Sequence, residues 1–287
     1  MLPPKARTNI ESAYLAALSI LPLKARIAVQ YFKSFRTFPN FTHPKTFNEK
    51  CQRFKLIPDP RIPDCVNKIT AKHIALDRLG PAHITSTLYS GDFLPPIEQR
   101  NWPIPYVIKT NHGSGLNIFI RSKSDEEWSR IDPLLRSWLQ LQFGYLGGEL
   151  YYSEMKPQVL VEPFISRDGN LPVDYKIFVF DGVPRFIQID TDRERDHKRI
   201  IFDTDWNRQS FRFGYPMDHR EFPKPPELPE LLDCAAKLAK GHAFMRADFY
   251  VVDGRVIFGE MGFTPDSGFN KFFPSEWDRK FGDMWPD

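Results

Sequence analysis

Cysteine is scarce. The chain of 287 residues holds three, Cys51, Cys65 and Cys234, far apart and outside any Cys-x-x-Cys pattern. An odd, scattered set argues against a disulfide framework and a structural zinc site, and fits a reducing, cytoplasmic compartment. The 7 histidines show no His-Glu-x-x-His or related ligand spacing. An excess of one charge is missing too. Against 36 acidic residues stand 39 basic ones, a net of +3 with no long basic run, so nucleic acid is not expected as a partner. No apolar run is long enough for a membrane span: the longest, residues 14–23, is roughly half of the ~20 residues needed. Glu11 precedes that run and no clear small-residue cleavage site follows it, which disfavours a signal peptide. The run belongs to an amphipathic segment ending in Lys24, Arg26 and Lys33. Such a segment packs on the protein's own surface or makes peripheral membrane contact, and both readings stand. Internal repeats and low-complexity tracts are absent.

What is present is globular material. Hydrophobic residues at 41% and charged residues at 26% are ordinary for a soluble protein, and the length calls for two or three packed subdomains. Aromatic residues reach 14%, with 25 Phe, enough for core packing and for a flat pocket around a ring-shaped ligand. The 26 prolines cluster in connections such as Ile57-Pro58-Asp59-Pro60 and Pro223-Lys224-Pro225-Pro226, which makes rigid linkers. A helix is expected over residues 67–79, capped by Asn67 and ended by Gly80-Pro81. Strands are expected over 105–110, 116–120 and 158–162. Between the last two, Ser124 and Glu127 form a capping box for a helix reaching about residue 143, kinked at Pro133. Two hairpins follow, 173–180 with 183–190 around Asp181-Gly182, and 243–252 with 255–261 around Asp253-Gly254. A helix over 229–240 separates them. The sum is α+β, rich in antiparallel pairs.

Three places carry chemistry. Lys109 ends a strand and is followed by Gly113-Ser114-Gly115, where glycines let backbone amides approach an anion. Neither a Gly-Lys-Ser/Thr sequence nor a third glycine follows, so this is no Walker loop and no dinucleotide fingerprint, and a plain hairpin turn fits it as well. On the last hairpin Arg246, Asp248 and Tyr250 alternate on one face, with Glu260 on the return strand. A two-residue turn would set residue 248 opposite 259 and turn Glu260 away. A three-residue loop, Val252-Asp253-Gly254, would set Arg246 opposite Glu260 with Asp248 diagonal on the same face. In that register two carboxylates suit a magnesium ion carrying phosphate oxygens, and the arginine suits charge on a transferred phosphoryl group; otherwise the three form a salt-bridge ladder. On the first hairpin Asp174 and Lys176 share a face, a pattern that a surface ion pair also gives. Upstream, Glu162-Pro163-Phe164 ends a strand and could line an adenine ring.

In this order, these pieces resemble the ATP-grasp superfamily, and more closely the ATP-grasp proteins of teichuronopeptide biosynthesis and related surface-polysaccharide clusters. The likeness is carried by Thr46-Phe47-Asn48-Glu49-Lys50, by Val107 through Gly115, by Pro172-Val173-Asp174-Tyr175-Lys176, by Arg246-Ala247-Asp248-Phe249-Tyr250 and by Phe258-Gly259-Glu260. It spans roughly residues 40–280. The resemblance implies ATP clamped between two α+β subdomains. It divides the chain into an N-terminal region, 1–100, a lid subdomain with the glycine loop, 101–165, and a C-terminal subdomain with the metal site, 166–287. Lys68 and Lys109 would contact the α- and β-phosphates beneath Gly113, Ser114 and Gly115. Glu162, Pro163 and Phe164 would form the adenine hinge, and Asp174 and Lys176 would border the γ-phosphate or acceptor. Arg246 would stabilise the transferring phosphoryl, and Asp248 and Glu260 would hold Mg2+. One departure is plain: where such enzymes commonly read Glu-x-Asn, this chain has Glu260-Met261-Gly262, and glycine supplies no ligand. The implied activity is carboxylate–amine ligation through an acyl phosphate, joining an amino acid to a uronic acid unit. Arg193 and Arg199, in the charged loop 193–199, would gather the anionic acceptor, although the same loop reads equally as a solvated one. A sugar kinase on the same scaffold and a non-catalytic nucleotide-binding partner of a glycan assembly complex are the rival readings.

Overall fold

A computed structural model describes residues 9–166, 171–193 and 196–286. The N-terminal part is helical: α1 (Asn9–Ser19), α2 (Leu23–Phe35), α3 (Phe47–Leu56), α4 (Ile62–Val66) and α5 (Lys68–Leu79). Strands β1 (Tyr89–Gly91), β2 (Tyr106–Thr110) and β3 (Asn117–Ile120) precede α6 (Trp128–Leu139), and β4 (Val159–Pro163) follows it. The remainder is β5 (Asp174–Phe180), β6 (Val183–Thr191), β7 (Lys198–Asp203), β8 (Arg212–Phe213), α7 (Leu228–Ala239), β9 (Phe244–Val252), β10 (Arg255–Gly262), β11 (Phe272–Phe273) and α8 (Glu276–Met284). Two antiparallel sheets organise the molecule, a four-stranded one in the order β1-β4-β2-β3 and a five-stranded one in the order β10-β9-β5-β6-β7. The α+β expectation holds, and no helix of the described residues is long and apolar enough to cross a membrane.

Local chemistry explains the elements. Asn67 caps α5 by accepting from the Ile69 amide at 3.0 Å, and Gly80, at φ 88, ends it. Thr46 opens α3 with a reciprocal capping box: its hydroxyl takes the Glu49 amide while Glu49 takes the Thr46 amide. Phe47 behind this cap is fully buried, its ring set among Phe178, Phe244, Phe272, Phe281 and Trp285. The capping box expected from Ser124 and Glu127 is not formed. Asp125 instead takes the amides of Arg121 and Ser122 at 2.9 and 2.8 Å. The box is therefore Ser122 with Asp125, heading a short 3-10 turn over Lys123–Asp125, and α6 begins afterwards and stops at Leu139, short of residue 143. Helix α2 lies on the protein's own surface, with Ile27 and Tyr31 buried, Gln30 Nε2 donating to Leu146 O and Arg26 over the Tyr145 ring at 4.0 Å.

The five-stranded sheet has two covered faces. Helices α4, α5 and α7 cover one, packing Ala71, Ala75, Leu231 and Leu238 on Ile177, Met245 and Ala247. Phe178, Phe180 and Phe244 point to the other and join the aromatic cluster around Phe47 and Phe281. Since side chains alternate along a strand, Lys176, Arg246 and Asp248 share that second face.

Candidate functional site

Both hairpin turns are two residues long. Asp181 and Gly182 have φ 48 and 75, and Asp253 and Gly254 have φ 51 and 70, the left-handed pair that a tight hairpin turn requires. The three-residue loop read from the sequence is therefore incorrect. Regular pairing from such a turn would have left Asp248 opposite Gly259. A β-bulge between Phe258 and Glu260 prevents this: Phe258 pairs with Phe249, then Glu260 pairs with Asp248 and Gly262 with Arg246. Arg246 is thus not opposite Glu260, yet the carboxylates meet. Gly259 makes the bulge feasible, because a Cβ there would lie 2.9 Å from the Asp248 carbonyl oxygen.

The result is a charged row across the sheet. Lys176 pairs with Asp248 across β5 and β9, and Asp248 with Glu260 across β9 and β10. Lys176 Nζ donates to Asp174 Oδ2 at 2.5 Å and to Asp248 Oδ2 at 2.7 Å. Arg246 grips Asp248 with two bonds, Nε to Oδ1 and Nη2 to Oδ2, both 2.7 Å, and reaches Glu260 Oε1 at 3.2 Å. Asp248 is 1% exposed. Burial pushes its pKa up to about 6 against the pull of Arg246 and Lys176. Burial likewise opposes ionisation of Glu260, but Lys176, Arg246 and Lys68 together hold it down to about 2.

Above this row opens a cleft of about 320 Å³, lined among others by Lys68, Ser114, Lys176, Arg193, Arg246 and Glu260. Lys68 stands in the first turn of α5. Its amide donates to Asn111 O at 2.9 Å, its Nζ donates to Gly113 O, and burial lowers its pKa. Gly113 and Gly115 have φ 85 and 75, conformations open to glycine. Gly113 lines the cleft; Gly115 and Lys109 are not among its lining residues. Lys109 turns to Glu162, which accepts from it at 2.8 Å and from Lys72 at 2.6 Å. Burial raises the Glu162 carboxyl, yet these two lysines bring it below its ordinary range. Pro163 and Phe164 lie off the cleft lining as well. Their backbone is tied into the sheet, with Pro163 paired to Tyr106 and the Phe164 amide donating to Pro105 O at 3.0 Å.

The segment 193–199 is not a loop throughout, because Lys198 and Arg199 begin β7, and its two arginines part company; Glu194 and Arg195 between them lie outside the described residues. Arg193 is largely exposed and donates to Asp174 Oδ2 at 3.2 Å. Arg199 is buried and clamps three segments, with Nε to Asp190 Oδ1 at 2.7 Å, and Nη1 to Phe213 O at 2.8 Å and Asp266 Oδ2 at 3.0 Å. Sequence reasoning missed Lys72, which only its i+4 spacing from Lys68 on one helix face could have flagged. It also missed Glu149, whose carboxylate accepts from Thr264, Tyr151 and Ser267 and which carries no local signal.

The fit of a divalent ion rests on two carboxylates. Among the described residues no group of three or more His, Cys, Asp or Glu forms a metal-holding cluster. Glu260 offers an open carboxylate to the cleft, while both oxygens of Asp248 are taken by Arg246 and Lys176. The set fits one ion held by Glu260 and by oxygens of a bound phosphate, with Asp248 behind it. Gly262 supplies no oxygen from a side chain, although a Cβ there would make only ordinary contact with the Arg246 guanidinium, at 3.7 Å.

Solved structures similar to this chain include D-alanine–D-alanine ligase from Bacillus anthracis, at 19% identity over 77% of this chain and 65% of that one, with TM-score 0.43. The ATP-grasp ligase PsnB complexed with minimal precursor is similar at 15% identity over 71% and 53%, with TM-score 0.42. VanG D-Ala:D-Ser ligase from Enterococcus faecalis is similar at 12% over 69% and 52%, with TM-score 0.37. This chain spans less than two thirds of the length of each. No curated protein matches it in sequence. The model of the TupA-like ATPgrasp family matches residues 52–285, a stretch that contains the glycine loop, the cleft and the charged row. The chain belongs to the TupA-like ATP-grasp family.

Proposed function

We propose that this protein is an ATP-dependent carboxylate–amine ligase that activates a carboxylate as an acyl phosphate and joins it to an amine. The carboxylate would be a uronic acid unit of a surface polysaccharide and the amine an amino acid. The observation that carries this reading is the row Lys176–Asp248–Glu260 with Arg246 beside it at a cleft whose rim is a glycine loop. Phosphoryl transfer needs positioning and neutralised charge more than a covalent group. Lys68 and the amides around Gly113 and Ser114 would hold the phosphates. Lys176 and Arg246 would face the transferring phosphoryl, with Asp248 locking both cations in place. Glu260, with Asp248 behind it, would hold Mg2+. When bound, that ion would offset negative charge on the phosphates. Arg193, the exposed cation of the acceptor side, would pair with the carboxylate to be activated.

The test is ADP release from Mg-ATP with glucuronate and galacturonate, repeated with hydroxylamine as the nucleophile. The ligase reading expects ADP release that depends on the uronate, together with a hydroxamate. ADP release with a stable phosphosugar and no hydroxamate would make the protein a kinase. Nucleotide binding with no acceptor-dependent ADP release would leave it a binding partner.

A further inference from the structure

An amino acid reaches the cleft as an ammonium ion, and its nitrogen attacks only after losing a proton. The cleft's charged groups are poorly suited to take it. Its lysines and arginines are donors. Glu260 is bonded to Arg246 and held down to about 2. Asp190 accepts from Arg199 and Gln188 and lies below the carboxylate range, burial being outweighed by Arg199 and its neighbours. Asp266 accepts from Arg199, and Glu149 is taken up by three hydroxyls. One imidazole lines the cleft among the described residues, that of His197.

Its setting is built. The ring stacks on Tyr215, with centroids 3.6 Å apart and planes 30° from parallel. Nε2 lies 3.2 Å from Asp190 Oδ1 and is a buried atom with no aligned hydrogen-bond partner. A small rotation of the ring would direct an Nε2 proton at that carboxylate. The buried nitrogen leaves Nδ1 as the one available to the cleft. The groups facing the ring are Asp190 from β6 and Tyr215 from the loop after β8, while Arg199 from β7 shares Asp190 and lies over Tyr215 at 4.9 Å.

We infer that His197 is the general base for the amine in the second half of the reaction. This rests on the ligase reading. Nδ1 takes a proton from the ammonium group and the freed nitrogen pair forms the C–N bond at the acyl carbon. The C–O bond to phosphate breaks with its electron pair on the departing phosphate, which takes the second nitrogen proton and leaves as hydrogen phosphate. The imidazolium then returns its proton to solvent, and ATP supplies the phosphoryl group in the first half.

Hydroxylamine separates the halves, because it is largely unprotonated at neutral pH and attacks an acyl phosphate without a base. Wild type, His197→Gln and His197→Asn are compared with Mg-ATP and glucuronate, using either hydroxylamine or glycine, L-alanine and L-glutamate as the nucleophile. The expected result is a ratio of amide to hydroxamate that falls ~100-fold in both variants, with partial recovery of amide in His197→Ala on adding imidazole. An unchanged ratio in either variant would overturn the base assignment and leave the ligase intact. No hydroxamate from wild type would overturn the ligase reading and the base with it.

Discussion

Arg193 and Arg199 bracket one charged loop yet meet the cleft differently. Their partners come from other elements, Asp174 on β5 for the first and Asp190 on β6 with Asp266 in the turn after β10 for the second, so loop sequence alone could not distinguish them. Arg193 is exposed and, among the described residues, donates to Asp174 Oδ2 alone at 3.2 Å, which leaves the rest of its guanidinium for a ligand. Its replacement by alanine should raise the KM for the uronate about tenfold, roughly the worth of one charge-assisted hydrogen bond, with KM for ATP unchanged. Arg199 is 3% exposed and neutralises the buried Asp190 carboxylate. Arg199→Ala should therefore cost about 3 to 5 kcal/mol of folding stability, seen as a lower urea midpoint. Equal KM effects with equal midpoints in the two variants would contradict this division.

At the scale of elements, the sequence was legible wherever a local rule decides. The N-cap of α5, its glycine stop, the Asp181-Gly182 turn and strands β2 to β6, β9 and β10 follow from short-range chemistry, whereas β7 and β8 had no pattern strong enough to announce them. The helix start near Ser124 was misjudged because Asp125, one residue on, takes the amides of Arg121 and Ser122 and closes a box with Ser122 instead. The last hairpin failed for a deeper reason: parity counting assumes an unbroken ladder, and a bulge breaks it without any compulsory residue. Gly259 was the available sign, being a glycine inside a strand pattern, between Phe258 and Glu260. Gly259→Ala should force the Asp248 carbonyl away, at a cost of ~1–3 kcal/mol, and weaken Mg-ATP binding measured calorimetrically. Gly262→Ala, in the same strand, where a Cβ would make only ordinary contact with the Arg246 guanidinium, should stay within ~1 kcal/mol of wild type. If the two glycines behave alike, the bulge is not what aligns the carboxylates.

Across the whole molecule, the cleft floor is assembled by one buried ammonium. Lys55, on α3, donates to Gln52 Oε1 at 2.9 Å, Gly147 O at 2.8 Å and Ser267 O at 2.5 Å. It thereby ties an N-terminal helix to the segment after α6 and to the turn after β10. Gln52 adds a bond to Gly268 O at 2.7 Å, and Asn48 one to Asn270 O at 3.0 Å. The Thr46–Lys50 string thus marks the cap of a helix that braces the site from below, a role no local pattern announces because every partner lies far along the chain. Burial lowers the Lys55 pKa from its ordinary 10.5 to about 8, against the favourable field of Glu149. Between those values the unfolded chain binds a proton that the folded one has released, so this group's contribution to stability rises with pH across that window. Below it the folded ammonium carries its full desolvation cost. Stability of wild type relative to Lys55→Met should therefore increase by roughly 3 kcal/mol from pH 8 to pH 10.5, read from paired urea titrations. The variant cancels the titration of every other group common to both proteins. A difference that stays flat, or falls, over that range would mean that Lys55 keeps its proton and that the three carbonyl oxygens hold the ammonium as firmly as water does.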